Sequence, residues 1–266
     1  MKQPGKSGNP IRVSIVDFLN ARPLTWGLLH EPPAGVEVLR DPPAVCAERL
    51  SRGEVDAGLI PSIEYQRLAG LQVVGGLGIA ASSEVRSVLL VSRVSRERIS
   101  SVSLDPASRT SAALTRILLK RRYGLAPRYE ERSRGMGEDA DASLIIGDPA
   151  LKARLNGQVV LDLAAEWRAF SGHPFVFAFW AVHPGSPAGE LAGILRRSRD
   201  AAVAQFDRLV EEEAADSGLS QAVIRDYLLH ALHYELDEGD LEGLKLFYEL
   251  AAEDRLIEEA KPLRFV

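Results

Sequence analysis

The sequence predicts an α/β protein of two lobes with a cleft between them. Short apolar strands alternate with helices on both sides of two longer β-rich runs, Val85-Arg-Ser-Val-Leu-Leu-Val91 and Phe175-Val-Phe-Ala-Phe-Trp-Ala-Val182. Those two runs are where a chain would cross between lobes. At 266 residues, with 46% hydrophobic and 26% charged residues, the chain is soluble in composition and long enough for two small cores. Everything after Pro187 has helical spacing. The expected division puts residues 11–92 and 180–266 in lobe 1 and 93–179 in lobe 2, with crossings near 85–92 and 175–182.

The elements follow in order. Ile11-Arg-Val-Ser-Ile-Val16 alternates as a strand and is followed by the loop Asp17-Phe-Leu-Asn20 and a helix opened by Pro23. Loops after strands are where open α/β sheets hold ligands, so Asn20 is either a polar contact or a helix cap. Strands at 36–39 and 55–60 flank a helix that starts at Pro42-Pro43 and stops at Gly53, which predicts a parallel sheet. Ser62, at the next strand-to-helix turn, faces the cleft or caps. Ser87 lies on the first crossing strand, at the cleft floor. In lobe 2 the chain runs through a helix over 110–122, a polar loop from Glu130 to Asp141, a strand over 142–146 ending in Gly147-Asp148-Pro149, and a strand over 159–163. Asp148 holds a donor in the cleft or caps a helix. His173 stands near the cleft in a Gly-His-Pro turn. Helices are expected over 188–215, 221–234 and 240–253.

The densest donor cluster is Ser108-Arg-Thr-Ser111. Val102 and Leu104 alternate as a strand, Asp105-Pro-Ala107 breaks the pattern, and from Thr110 the period is helical. The turn thus sets Ser108, Arg109, Thr110 and Ser111 at a helix N-terminus, whose free N–H groups favour an anion. Three hydroxyls add neutral donors, and Arg109 adds a planar fork matched to a carboxylate. A capping segment with a surface arginine is the plainer alternative.

The net charge of −5 argues against a nucleic-acid partner, and the single Cys46 excludes an intramolecular disulfide and a cysteine zinc cluster. His230 and His233 share a helix face without a third ligand, so no metal site is expected. No phosphate loop, His-Glu-x-x-His or Gly-x-Ser-x-Gly occurs. The polar opening, Met1 to Pro10, leads straight into a strand and no run suits a bilayer, which points to a cytoplasmic protein without a membrane partner.

Several stretches together resemble the chorismate dehydratases of the futalosine route to menaquinone. They are Asp17-Phe-Leu-Asn-Ala-Arg-Pro-Leu24, Gly53-Glu-Val-Asp-Ala-Gly-Leu-Ile-Pro61, Leu104-Asp-Pro-Ala-Ser-Arg-Thr-Ser111, Leu144-Ile-Ile-Gly-Asp-Pro-Ala-Leu151 and Gly172-His-Pro-Phe-Val-Phe-Ala-Phe-Trp180. His173 stands where an apolar residue is expected in that family. The resemblance implies the two-lobe fold of type II periplasmic binding proteins and loss of water from chorismate to give 3-[(1-carboxyvinyl)oxy]benzoate. It implies Asn20 and Ser87 as catalytic contacts, with Ser62, Ser108, Arg109, Thr110, Ser111, Asp148, His173 and Phe175 binding the substrate. Elimination makes the ring aromatic, so no cofactor or metal is expected, and the substrate's own enolpyruvyl carboxylate is implied as the base. A non-catalytic small-anion sensor of the same fold and the sister 1,4-dihydroxy-6-naphthoate synthase are the alternatives.

Overall fold

The computed structural model describes residues 10–132 and 140–266. The opening run 1–9 and residues 133–139 of the expected polar loop lie outside the described residues.

The strands are β1 (Ile11–Val16), β2 (Val36–Asp41), β3 (Ala57–Pro61), β4 (Gln72–Ala81), β5 (Val88–Ser92), β6 (Ser101–Leu104), β7 (Arg128–Glu131), β8 (Ala142–Ile146), β9 (Val159–Asp162) and β10 (Phe175–Val182). The helices are α1 (Arg22–His30), α2 (Pro43–Ser51), α3 (Ser62–Arg67), α4 (Arg109–Ile117), α5 (Asp148–Lys152), α6 (Leu163–Ser171), α7 (Ala188–Ala204), α8 (Phe206–Ser217), α9 (Gln221–Asp226) and α10 (Glu238–Glu253). Among the described residues they build two five-stranded sheets, ordered β2-β1-β3-β10-β4 and β7-β6-β8-β5-β9.

Three features differ from the expectation. The first sheet is mixed: β1, β2 and β3 are parallel, but β10 runs antiparallel to both β3 and β4. Each supposed crossing strand belongs wholly to one sheet, β5 to the second and β10 to the first. The chain therefore passes over in residues 82–87 and returns between β9 and β10, and the boundaries expected at 92 and 179 shift accordingly. The helix expected over 188–215 breaks at Gln205 (φ −116°, ψ 28°), and that over 221–234 becomes α9 followed by a π-helical turn, Tyr227–Ala231.

Local chemistry fixes the passage between sheets. Asp162 accepts hydrogen bonds from the N–H groups of Ala164 and Ala165, capping α6, and also from those of Val85 and Arg86. Burial nonetheless raises its pKa against the pull of those four donors. One carboxylate thus ties the start of the second sheet to its last helix. Arg86 holds a left-handed φ of 60° there, and its guanidinium pairs with Asp226.

The strands β3 and β10 at the centre of the first sheet are buried along nearly their whole length. α7 lies against α1, where a Cβ added to Gly27 would stand 2.6 Å from Ser198 Cα. Alanine would gain about 1 kcal/mol of helix propensity at that position. Overpacking a backbone contact costs about 1–3 kcal/mol, so the steric effect wins. Gly27→Ala is expected to lower stability by up to about 2 kcal/mol, measured as a fall in the urea midpoint at constant slope.

Cys46 is fully buried between β1 and α2 and receives a hydrogen bond from Ser14 Oγ at 3.0 Å. Burial pushes its thiol up to about 12. Iodoacetamide at pH 8 should therefore modify it only as fast as the protein unfolds, a rate that mass spectrometry follows. Among the described residues no helix is long and apolar enough to cross a membrane.

Candidate active site

A cavity lies where loops of the two sheets face each other. It holds about 610 Å³ of atom-free space including its open mouth. Val16 at the end of β1, Leu59 within β3, Val88 and Ile146 in the second sheet, and Phe177 make an apolar wall. Its polar lining is Asn20, Ser108, Thr110 and Ser111, and none of the described lining residues is ionisable.

The donors come from one turn. Asp105 Oδ1 accepts from Ala107 N–H at 2.9 Å and its carbonyl from Ser108 N–H at 3.1 Å, which folds the break after β6 into a tight bend. α4 then begins with Arg109, and the first intrahelical bond is from Ala112 N–H to Ser108 O at 2.9 Å. The N–H groups of Arg109, Thr110 and Ser111 have no acceptor among the described residues, and Ser108 makes no side-chain cap. They are the unpaired end of a helix dipole, in a cavity with no competing charge.

Asn20 comes from the other side, within the 3₁₀ turn Leu19–Ala21 that follows β1. Its Oδ1 is buried and has no hydrogen-bond partner among the described residues. It does not cap α1, whose cap position is Ala21 with no side-chain bond. Gly147, at φ 65° and ψ −146°, closes this corner, with the Phe18 ring 3.6 Å from where a Cβ would stand. That backbone conformation is essentially restricted to glycine.

The remaining expected residues lie elsewhere. Arg109 points away from the cavity and spends its fork on Glu64 Oε2 at 2.9 Å and Glu48 Oε1 at 2.8 Å, so it is not free to bind a carboxylate there. Ser62 is buried and donates to Val176 O at 2.8 Å, neither capping nor facing the cavity. Ser87 is buried and its Oγ accepts from Tyr227 Oη–H at 2.6 Å, so it packs behind the cavity wall. Asp148 does hold a donor, Leu19 N–H at 3.2 Å, which joins loops of the two sheets beside the cavity without lining it. His173 turns toward α10, with Nδ1 3.8 Å from Glu242. Phe175 is buried in an aromatic cluster with Trp167 and Phe247, and the aromatic residues at the cavity are Phe18 and Phe177. A register shift between Val176 and Ala178 re-aims the strand and sets Phe177 and Ala178 at the wall. The sequence shows no sign of that bulge.

The architecture agrees with what the comparisons find. The pattern of the menaquinone biosynthesis family matches residues 11–253. The chain belongs to that family. The chorismate dehydratase of Thermus thermophilus is 31% identical over 261 residues, which cover 90% of this chain and 94% of the relative. That of Campylobacter jejuni is 32% identical over 239 residues, covering 87% and 93%. Among solved structures, a protein of Archaeoglobus fulgidus matches with a TM-score of 0.76 at 16% identity over 94% of this chain and 99% of its own. The periplasmic aliphatic sulphonate binding protein of Escherichia coli matches with a TM-score of 0.66 at 18% identity, covering 98% and 94%. A Candida albicans protein with the generic periplasmic-binding-protein fold matches at 0.60 and 11% identity, covering 97% of both chains. This member of the menaquinone biosynthesis family therefore has the expected periplasmic-binding-protein-like fold.

Proposed function

We propose that the chain is a chorismate dehydratase, a carbon–oxygen lyase that removes water from chorismate to give 3-[(1-carboxyvinyl)oxy]benzoate. The observation that carries this is the start of α4, whose first three N–H groups have no acceptor among the described residues and where Ser108, Thr110 and Ser111 line a neutral apolar cavity. Such a seat suits a carboxylate of a small dianion, held by fixed dipoles where water is scarce.

The reaction needs a proton taken from C3 and a hydroxyl lost from C4. None of the described lining residues is ionisable, which leaves the substrate's own enolpyruvyl carboxylate as the base. It takes the C3 proton as that bond's electron pair forms the C3–C4 double bond and the C4–O bond breaks. The carboxylic acid then returns its proton to the departing hydroxide, releasing water and an aromatic ring. α4 anchors one carboxylate, the apolar wall holds the folded conformer, and the Asn20 amide donates to the C4 oxygen as negative charge grows on it. We propose that the two sheets act as lobes that close over the substrate during this step.

Incubation of pure protein with chorismate tests the proposal. A product lighter by one water, with the spectrum of a substituted benzoate, is expected. Bound but unchanged chorismate would leave a small-anion binding protein instead.

A further inference from the structure

We infer that Arg109 is a positioning residue, a latch that carries the anion seat across the gap and pins it to the first sheet through Glu48 and Glu64. For its ligand the inference rests on the function proposed above, and its geometry stands apart from it. The first turn of α4 follows the second sheet's β6 and has two sides. Ser108, Thr110 and Ser111 line the cavity, and the side chains of Arg109 and Thr110 reach helices of the other sheet. Arg109 Nη1 and Nη2 donate to Glu64 on α3 and Glu48 on α2, at 2.9 and 2.8 Å. The next residue joins in: Thr110 Oγ1 accepts from Ile63 N–H at 3.2 Å and stands 3.4 Å from Ser62 Oγ. Glu64 is 3% exposed and takes a second guanidinium, Arg67 Nη1, at 2.8 Å.

The planar guanidinium spans two carboxylates on separate helices, a geometry an ammonium cannot copy. Glu64 is buried, so its link to Arg109 is screened far less than a surface pair. Separating the sheets would strip Arg109 from both acids and pull the N–H groups off the cavity together. Closure and assembly of the seat are thus one event. A protein that spends less time closed binds more weakly in proportion to the lost closed fraction, while turnover in the closed complex is unchanged. Arg109 acts on affinity without touching the substrate.

A mutant cycle separates this from direct contact. Arg109→Ala and Glu64→Gln are each expected to raise the KM for chorismate about tenfold with kcat within about threefold, and the double variant to be no weaker than Arg109→Ala alone. Arg109→Lys should recover part of the loss. If Arg109 instead gripped the substrate, Glu64→Gln would leave KM unchanged or lower it, and that result overturns the latch.

A second arm needs no ligand. Spin labels at Val203→Cys on α7 and Arg128→Cys on β7, both exposed, report the separation of the sheets, and the buried Cys46 stays unlabelled. Arg109→Ala and Glu64→Gln should add longer distances to the wild-type distribution. Identical distributions in all three proteins would also overturn the latch. If the wild type neither binds nor dehydrates chorismate, the proposed function falls, and the distance measurement alone then decides the latch.

Discussion

Asn20→Ala is expected to lower kcat for chorismate by about 10²–10³ with a much smaller change in KM and no loss of thermal stability. The rate follows from where charge develops. The C4 hydroxyl leaves with negative charge on oxygen, and among the described lining residues Asn20 is the one whose side chain has an N–H donor. A donor placed where charge appears only in the transition state accelerates the step without tightening ground-state binding. The stability half follows from Asn20 Oδ1, buried and without a partner among the described residues. An unsatisfied buried acceptor costs about 1–3 kcal/mol, so removing it relieves a penalty. A helix-capping asparagine would behave in the opposite way, losing about 1 kcal/mol of stability on truncation with kcat intact. Steady-state kinetics and a thermal melt on one preparation decide. Unchanged kcat together with a lowered Tm would return Asn20 to a structural role.

The contrast between Asn20 and Arg109 shows what the chain discloses locally. Ser108, Thr110 and Ser111 are legible because the change from alternating to helical spacing around Asp105-Pro-Ala107 lies within a few residues of the donors it creates. Asn20 is legible for the same reason, standing in the loop after β1. The partners of Arg109 lie 45 and 61 positions earlier, on helices whose approach only the packed fold sets. Its fork is matched to carboxylates as the sequence suggests, but they belong to the protein. Ser87 is similar, since Tyr227, which bonds it, is 140 positions away. His173 sits in a turn packed so closely on α10 that a Cβ on Gly243 would stand 2.4 Å from Pro174 O, and its imidazole lies on the α10 side, 3.8 Å from Glu242. The two-lobe order is legible from the alternation of strands and helices. The membership of β5 and β10 is not, because a buried strand carries the same apolar signature in either sheet.

A carboxylate built into the seat gives the largest expected effect on binding. Ser111→Asp should weaken chorismate binding by roughly 10³ while leaving the fold as stable as before or slightly more so. Ser111 lines the cavity at the third position of α4, 3% exposed. An acidic residue in the first turn of a helix gains about 0.3–1 kcal/mol from the dipole. The aspartate can accept from the unpaired N–H groups that the substrate would otherwise use, so it both fills the seat and repels the incoming anion. Two unit charges about 4 Å apart at an effective dielectric of about 20 repel by about 4 kcal/mol, which is a factor of roughly 10³ in affinity. Ser111→Asn keeps nearly the same shape without the charge and should bind within about tenfold of wild type. Calorimetry and a urea titration on both variants read the two effects separately. Wild-type affinity in Ser111→Asp would mean that the substrate's carboxylate is held somewhere other than α4, since no anion can share that turn with a fixed negative charge at so small a cost.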